Sequence, residues 1–208
     1  MVNVWLLRAN AGKKLNKDIL NKLKTDKVIA IGWGETGDLT GLSKIEIKKE
    51  IGAAYKDQDV VGTALGNAQS LVNIFVNEME IGDFVIVPNG EEIHLATITG
   101  PYFYNDSPDV EFYPHMRQVK WEQIVRRSDV SEKLRRSLRV MRTAANLTKH
   151  YDEVSCLISG EKCDIKPRDI DVSYPLRSDF IIKFTVPADM TENEAKRFST
   201  YISTLYFE

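Results

Sequence analysis

Residues 84–99 read FVIVPNGEEIHLATIT, and this stretch decides the class of fold. Two apolar runs, residues 84–87 and residues 93–99, lie on either side of Pro88-Asn89-Gly90. Asn-Gly is the strongest short-range signal of a β-hairpin, because both residues accept the positive φ angles of a tight turn. The stretch therefore predicts two antiparallel strands, the second of which ends at Gly100-Pro101.

Further strands and helices are expected on both sides of this hairpin. Apolar or alternating runs predict strands at residues 5–8, 28–31, 116–121 and 180–186. Capping residues predict helices that begin near Asn16, Ser43, Asn67 and Thr191, and a basic helix follows the strand at 116–121. Helices inserted between the early strands, without regular strand–helix alternation, indicate an α+β fold. We expect a small curved mixed sheet or barrel with a small strand–helix unit at the C-terminal end.

The composition narrows the class of protein. The chain has 208 residues, of which 43% are hydrophobic and 28% are charged, and this is enough apolar surface for a core. No stretch approaches the roughly 20 apolar residues of a membrane-spanning helix, and the first residues read as a strand rather than a signal peptide. Cys156 and Cys163 make no disulfide framework. We expect a cytoplasmic protein without a membrane partner.

Positive charge is concentrated in one segment of a chain whose net charge is −2. Residues 126–149 contain eight basic and two acidic residues, a net +6, so the remainder carries −8. An apolar stripe at helical spacing is formed by Leu134, Leu138, Met141 and Ala145. Four arginines lie off that stripe and are candidates for phosphate contacts: Arg135, Arg136, Arg139 and Arg142. A solvated helix face is the alternative interpretation.

Motifs of known enzymes are weak in this sequence. Residues 32–37 match Gly-x-Gly-x-x-Gly, but the next helix begins only near Ser43, too late for its N-terminus to bind a phosphate beside these glycines. Asp38, Glu46 and Lys48 fit the letters of a metal-dependent nuclease, although Glu46 also occupies the third position of a capping box. Three scattered histidines and two cysteines give poor support for zinc. We expect no enzymatic activity, no metal and no cofactor.

The aromatic residues carry a more specific signal. Trp33 lies between two glycines directly after a buried strand, where a large ring can project into a cleft. Aromatic, histidine and arginine side chains recur at the ends of the later strands: Tyr102, Phe103, Tyr104, His115, Arg117 and Trp121. Flat rings near basic residues are typical of sites that stack an extruded base. The alternative is that these rings belong to the rim of the core, and Trp5 and Trp121 are expected in the core itself.

Four phrases together resemble a known family. The first is VIAIGW from Val28, followed by GDL from Gly37. The others are IGDFVI from Ile81, ITGPYFY from Ile98 and YPHMRQVKW from Tyr113. In this order and spacing they resemble the N-terminal module of predicted Mrr-type restriction endonucleases and some McrB-type restriction ATPases. That module is similar to EVE and YTH domains of the PUA-like superfamily. The resemblance covers residues 1–148 and leaves residues 149–208 as a separate appendage.

The resemblance implies a pseudo-barrel that reads nucleic acid, with a modified base flipped into an aromatic pocket. By position, the pocket is expected to draw on Arg8, Asn10, Trp33, Gly34 and Tyr102, with Tyr104, His115 and Arg117 nearby. The restriction proteins continue into a nuclease or ATPase domain, and the tail of this chain resembles neither.

Three functions remain open from the sequence. The first is a non-enzymatic reader of modified DNA or RNA, with modified DNA the preferred ligand, that recruits a nuclease or ATPase effector in trans. The second is a nuclease that uses Asp38, Glu46 and Lys48. The third is a protein-interaction or regulatory module that binds no nucleic acid.

Overall fold

A computed structural model describes residues 1–8, 17–58, 60–107, 113–160, 169–187 and 190–205. The chain divides into two compact units, residues 1–163 and residues 164–208. The boundary expected from the sequence, after residue 148, lies before a helix at Tyr151–Ser159. This helix packs on the sheet of the first unit, so the first unit extends beyond the expected boundary.

The first unit is built on a six-stranded mixed sheet. Its strands are β1 (Val4–Leu7), β2 (Val28–Ile31), β3 (Phe84–Asn89), β4 (Glu92–Tyr104), β5 (His115–Arg126) and β6 (Ala144–Asn146). Their spatial order is β2-β5-β4-β3-β1-β6, in which only β1 and β3 pair in parallel. The expectation of a mixed sheet in an α+β fold is confirmed.

The predicted hairpin forms β3 and β4. Asn89 pairs with Glu92, and Gly90 adopts a φ of 60° in the turn between them. The expectation that Gly100-Pro101 ends the second strand was wrong, because β4 continues to Tyr104. The strand register shifts between Ile98 and Tyr102, and such an irregularity tolerates proline within a sheet. A Cβ atom at Gly100 would lie only 2.8 Å from the amide oxygen of Gln118.

In the described part of this unit, five α-helices and a turn of π-helix accompany the sheet. They are α1 (Lys17–Thr25), α2 (Lys44–Ala54), α3 (Gly62–Asn73), the π turn (Ile74–Glu78) and α4 (Glu132–Ser137); α5 is the helix at Tyr151–Ser159. The capping box of Ser43 and Glu46 is present at the start of α2, as predicted. Helix α3 begins five residues before Asn67, the start expected from the sequence.

Hydrophobic cores cover both faces of the sheet. Because successive side chains of a strand point to opposite faces, Trp5 and Leu7 of β1 pack with α2 and α3, whereas Val4 and Leu6 pack with α4 and α5. Trp5 also donates its indole hydrogen bond to Asp83, at 2.7 Å. The sheet is therefore packed against buried side chains on both of its faces.

The second unit contains β7 (Asp169–Arg177), β8 (Phe180–Pro187) and α6 (Glu192–Ile202). Strand β8 and the capping box of Thr191 and Glu194 match the sequence prediction, whereas most of β7 was not anticipated. The two strands pair antiparallel, and Phe184 contacts Phe198 of the helix. Among the described residues of this unit, none is buried. None of the described helices of the chain is long and apolar enough to cross a membrane.

Candidate functional site

A cleft of about 620 Å³ opens in the first unit between two irregular segments and helix α3. Trp33 contributes from the loop after β2, which we call the aromatic loop (residues 32–37). Met141, Arg142 and Thr143 contribute from the segment after α4, which we call the basic loop (residues 138–143). Residues 64–71 of α3 supply Asn67 and Ser70 as polar groups of the lining. The volume lies within the roughly 300–1,000 Å³ range of small-molecule pockets.

Trp33 has a strained backbone. Its φ of 77° and ψ of 29° are left-handed, a conformation that bulky side chains rarely adopt. The flanking Gly32 and Gly34 do not take a positive φ, although they would do so at less cost. Such strain costs about 1–3 kcal/mol and is concentrated at functional sites. Trp33 is half-buried, so its ring is divided between the core and the cleft.

Hydrogen bonds to the carbonyl oxygen of Trp33 hold this strained conformation in place. The Thr36 hydroxyl donates to it at 2.8 Å, and His115 Nε2 donates to it at 3.1 Å. A carbonyl oxygen only accepts, so Nε2 carries the proton and Nδ1 of the neutral ring accepts from the Tyr102 hydroxyl at 2.8 Å. His115, itself held by Tyr102, therefore fixes the position of the aromatic loop through its backbone.

Burial fixes the protonation states of this pair. It lowers the pKa of His115 below its ordinary value, and burial of Tyr102 raises the pKa of that hydroxyl to about 12. His115 is fully buried and is therefore neutral at pH 7. The two rings stack with their centres 5.9 Å apart. The neutral pair of Tyr102 and His115 therefore supports the aromatic loop without adding a positive charge next to the backbone of Trp33.

Two further tyrosines support the same loop. Tyr104 donates to the carbonyl oxygen of Gly34 at 3.1 Å, and Tyr55 accepts from the backbone nitrogen of Glu35 at 3.3 Å. The ring of Tyr55 meets the ring of Trp33 edge to face, at 5.0 Å between centres. Of the residues expected in the pocket, Tyr102, Tyr104, His115 and Gly34 thus surround Trp33, and Trp33 itself lines the cleft.

Arg8 was expected to contact a ligand, but its guanidinium is used to hold the basic loop. It donates to the carbonyl oxygens of Leu138 at 2.6 Å, Val140 at 3.0 Å and Arg142 at 3.3 Å. Its backbone nitrogen also donates to the carbonyl oxygen of Thr143, at 2.7 Å. Four carbonyl oxygens of one loop are therefore bound to a single residue at the end of β1. Asn10, the other residue expected there, lies outside the described residues.

The basic helix is shorter than its apolar spacing predicted. Helix α4 ends at Ser137, because the carbonyl groups that follow turn to Arg8 rather than continue the helix. Leu134 and Leu138 are buried as expected, whereas Met141 is 99% exposed and does not extend the stripe. The expectation of a single apolar face through Met141 was therefore wrong.

The four candidate phosphate-binding arginines divide into two pairs. Arg135 donates to the carbonyl oxygens of Arg127 and Val130 and also pairs with Glu132, and Arg136 pairs with Glu132 as well. Arg139 and Arg142 are exposed, and their side chains have no hydrogen bond or ion pair among the described residues. Arg142 lines the cleft. The second pair is the one available to phosphate.

Arg117 does not occupy the accessible position expected for a ligand contact. It is 4% exposed, and its guanidinium donates to the carbonyl oxygens of Phe75 at 2.6 Å and Val76 at 2.9 Å. Burial lowers its pKa to about 10. These bonds satisfy carbonyl groups of the π turn, where the ordinary helical pattern is broken. Arg117 is a structural residue of the turn.

The residues of the nuclease alternative have other local partners. Glu46 accepts from the backbone nitrogen of Ser43 at 2.8 Å, and Asp38 accepts from the Thr40 hydroxyl at 2.7 Å. Within the described ranges, no group of three or more histidine, cysteine, aspartate or glutamate side chains could hold a metal ion.

Sequence reasoning missed Asn67, Ser70 and Thr143, because short polar residues give no signal until a cleft brings them together.

Comparisons with known proteins place the chain in a family. The profile of a family described as a domain of unknown function (DUF8426) matches residues 7–148. The chain belongs to this family. The matched range includes Trp33 and every residue that supports it. No match was found among curated proteins.

One solved structure that is similar to this member of DUF8426 is an X-ray crystal structure of protein Atu2648 from Agrobacterium tumefaciens. It is 16% identical, and the match covers 77% of this chain and 94% of the other chain, with a TM-score of 0.37. A likeness at this level carries no inference about fold or function.

Proposed function

We propose that this protein is a non-enzymatic reader of nucleic acid that binds an extruded, modified base in the cleft beside Trp33. One observation carries the proposal: a tryptophan in a strained left-handed conformation lines a cleft that also presents the exposed Arg142. The supporting residues Thr36, His115 and Tyr102 keep that ring at the edge of the core.

The lining has the chemistry that a base requires. Stacking of a base on an aromatic side chain is worth about 1–3 kcal/mol and does not depend on base identity. Asn67, Ser70 and Thr143 offer donors and acceptors for the polar edge of the base, which is where a modification would be distinguished. Arg142 carries positive charge at the lining of the cleft, and Arg139 adds a second exposed charge three residues earlier in the basic loop, so both are available to the phosphates.

The proposal includes the resemblance to the PUA-like superfamily. A mixed sheet with helices between its early strands is compatible with a PUA-like pseudo-barrel of the EVE type. In this proposal the protein acts in the cytoplasm as part of a restriction or defence system, with modified DNA as its ligand. A nuclease or ATPase effector recruited in trans would then act on the bound nucleic acid.

A protein-interaction module is the second candidate function. The observation that favours it is the second unit, in which large apolar side chains are exposed among the described residues, including Tyr174, Phe180, Ile181 and Tyr201. A two-stranded sheet with one helix has little core of its own. This candidate requires that the cleft of the first unit bind no nucleic acid.

Equilibrium binding to a panel of short duplexes and single strands tests the proposal. The panel carries unmodified, methylated or hydroxymethylated bases, and each affinity is measured at several salt concentrations. We expect a preference for one modified base, with affinity that falls steeply with salt because bound phosphates release counterions. Absence of binding at low salt would overturn the reader and leave the interaction module. Cleavage that requires a divalent cation and is lost in Lys48→Ala would favour the nuclease instead.

A further inference from the structure

Met141 is the most exposed apolar residue of the basic loop. Its side chain is 99% exposed, and it stands between Arg139 and Arg142, both of which are also exposed. Single apolar residues on a surface are common and need no explanation by themselves. Met141 differs in two respects, because it borders the cleft and because the backbone around it is held in place.

Arg8 gives the basic loop its fixed shape. Its guanidinium binds the carbonyl oxygens of Leu138, Val140 and Arg142, so acceptors on both sides of Met141 are tied to one cation. The loop therefore presents the methionine on an ordered backbone rather than on a free strand of chain. An exposed apolar side chain on a rigid loop is suited to enter another molecule.

We propose that Met141 is a wedge that enters the base stack of double-stranded DNA when the neighbouring base turns into the cleft. The substrate class is therefore a duplex from which a base is extruded, rather than a single strand. This inference rests on the proposed function, since it uses the same cleft.

A base that leaves a duplex costs a few kcal/mol of lost pairing and stacking. Apolar side chains, methionine among them, enter base steps in proteins that kink DNA and fill the gap that opens there. Methionine is unbranched and polarizable, and its shape adapts to such a gap. In a single strand no stack has to be held open, so the wedge would contribute little.

Charge on both sides of the wedge favours the same partner. Arg139 and Arg142 lie two residues before and one residue after Met141 and have no side-chain partner among the described residues. They can therefore neutralise phosphates on either side of the point where Met141 enters. B-form DNA is favoured over A-form RNA, because sequence-specific RNA recognition is directed mainly at single-stranded loops and ends.

Four proteins and three probes test the wedge. The proteins are the wild type, Met141→Ala, Met141→Leu and Ile124→Ala, the last changing an exposed apolar residue of β5 that does not line the cleft. The probes are a short DNA duplex with one mismatched 2-aminopurine, the single strand of the same sequence, and the corresponding RNA duplex. Affinity and 2-aminopurine fluorescence, which rises when the base unstacks, are measured for each.

For the DNA duplex, we expect Met141→Ala to lose about tenfold in affinity, which is 1.4 kcal/mol, and to lose the fluorescence rise. Affinity for the single strand should remain within about twofold, and Met141→Leu and Ile124→Ala should resemble the wild type. The melting temperature of Met141→Ala should be unchanged, because the side chain is exposed.

An unchanged duplex affinity in Met141→Ala, or an equal loss on the single strand, would overturn the wedge. Wild-type preference for the single strand or the RNA duplex would also overturn it and leave the reader function standing. If no probe binds, or if Trp33→Ala leaves the affinity for the preferred modified nucleic acid unchanged, the proposed function fails and the wedge fails with it.

Discussion

The two loops that border the cleft are held in the same way but present opposite chemistry. In the aromatic loop, the carbonyl oxygen of Trp33 accepts hydrogen bonds from Thr36 and from the neutral His115 of β5. In the basic loop, three carbonyl oxygens accept hydrogen bonds from the cationic Arg8, which follows β1. The first arrangement presents a half-buried ring, and the second presents exposed charge. In nucleic-acid recognition, base-edge contacts discriminate bases and stacking acts only on a base that has entered the pocket, whereas charges bind every phosphate alike.

The largest effect on discrimination is expected from the aromatic loop. Trp33→Ala removes the stacking surface, so affinity for the preferred modified nucleic acid should fall by about 1–3 kcal/mol. Affinity for unmodified nucleic acid should barely change, because it depends on the basic loop. Trp33→Phe, which keeps a ring, should retain part of the preference. Titrations of the three proteins at one salt concentration measure these differences.

Denaturation of the same variants separates binding from folding. A fully buried large aromatic residue costs about 3–5 kcal/mol when it is truncated to alanine. Trp33 is only half-buried, so we expect a smaller loss and a folded variant. If Trp33→Ala unfolds, the ring is part of the core; if it folds and keeps the full preference, the ring is not part of the site.

A smaller and uniform effect is expected from the basic loop. The double variant Arg139→Gln/Arg142→Gln should bind modified and unmodified nucleic acid less tightly by the same factor. The slope of log affinity against log salt should flatten by about 0.9 for each phosphate that the protein no longer neutralises. The matched variant Arg135→Gln/Arg136→Gln should chiefly lose stability, because Arg135 binds the carbonyl oxygens of Arg127 and Val130. Equal salt slopes for the two double variants would contradict this division.

Local signals in the sequence predicted much of the fold. The Asn89-Gly90 hairpin and the capping boxes at Ser43 and Thr191 were predictable because each depends on residues within a few positions of one another. The end of α4 at Ser137 was not predictable, because it depends on Arg8, which is 130 positions from Leu138. The helical spacing of apolar residues alone predicted that this helix continues through Met141.

For the candidate site too, only the features that depend on neighbouring residues in the sequence were predictable. Trp33 could be selected because its glycine neighbours and preceding buried strand are adjacent in sequence. That Arg117 would be buried against the π turn, or that Arg8 would hold a loop rather than a ligand, depends on tertiary contacts that no spacing reveals. An arginine looks the same in a sequence whether it binds a phosphate or a backbone carbonyl.

The smallest effect is expected from pH, through the histidine behind the aromatic loop. Burial lowers the pKa of His115, so the unfolded chain takes up a proton at a higher pH than the folded chain. The contribution of His115 to the free energy of unfolding should therefore be constant above about pH 6.5 and fall as the pH is lowered below that value. His94 and His150 contribute in the same direction, since burial lowers their pKa values as well.

Two variants show which histidine links the pH effect to the aromatic loop. His115→Gln and His150→Gln should each make the fall in stability below about pH 6.5 shallower than in the wild type. Only His115→Gln should also reduce the preference for modified nucleic acid, because His115, unlike His150, binds the carbonyl oxygen of Trp33. A loss of preference in both variants would show that the effect arises from general destabilisation.

The most direct test of the central claim is the spectrum of the protein with ¹⁵N-labelled tryptophan. The three tryptophans give three indole N–H signals, and the one missing from Trp33→Ala belongs to Trp33. The indoles of Trp5 and Trp121 are bound to Asp83 and to the Leu23 carbonyl. On addition of the preferred modified nucleic acid, we expect a large shift of the Trp33 signal and little change in the other two. Saturating binding with an unmoved Trp33 signal would contradict the claim that this cleft receives the base.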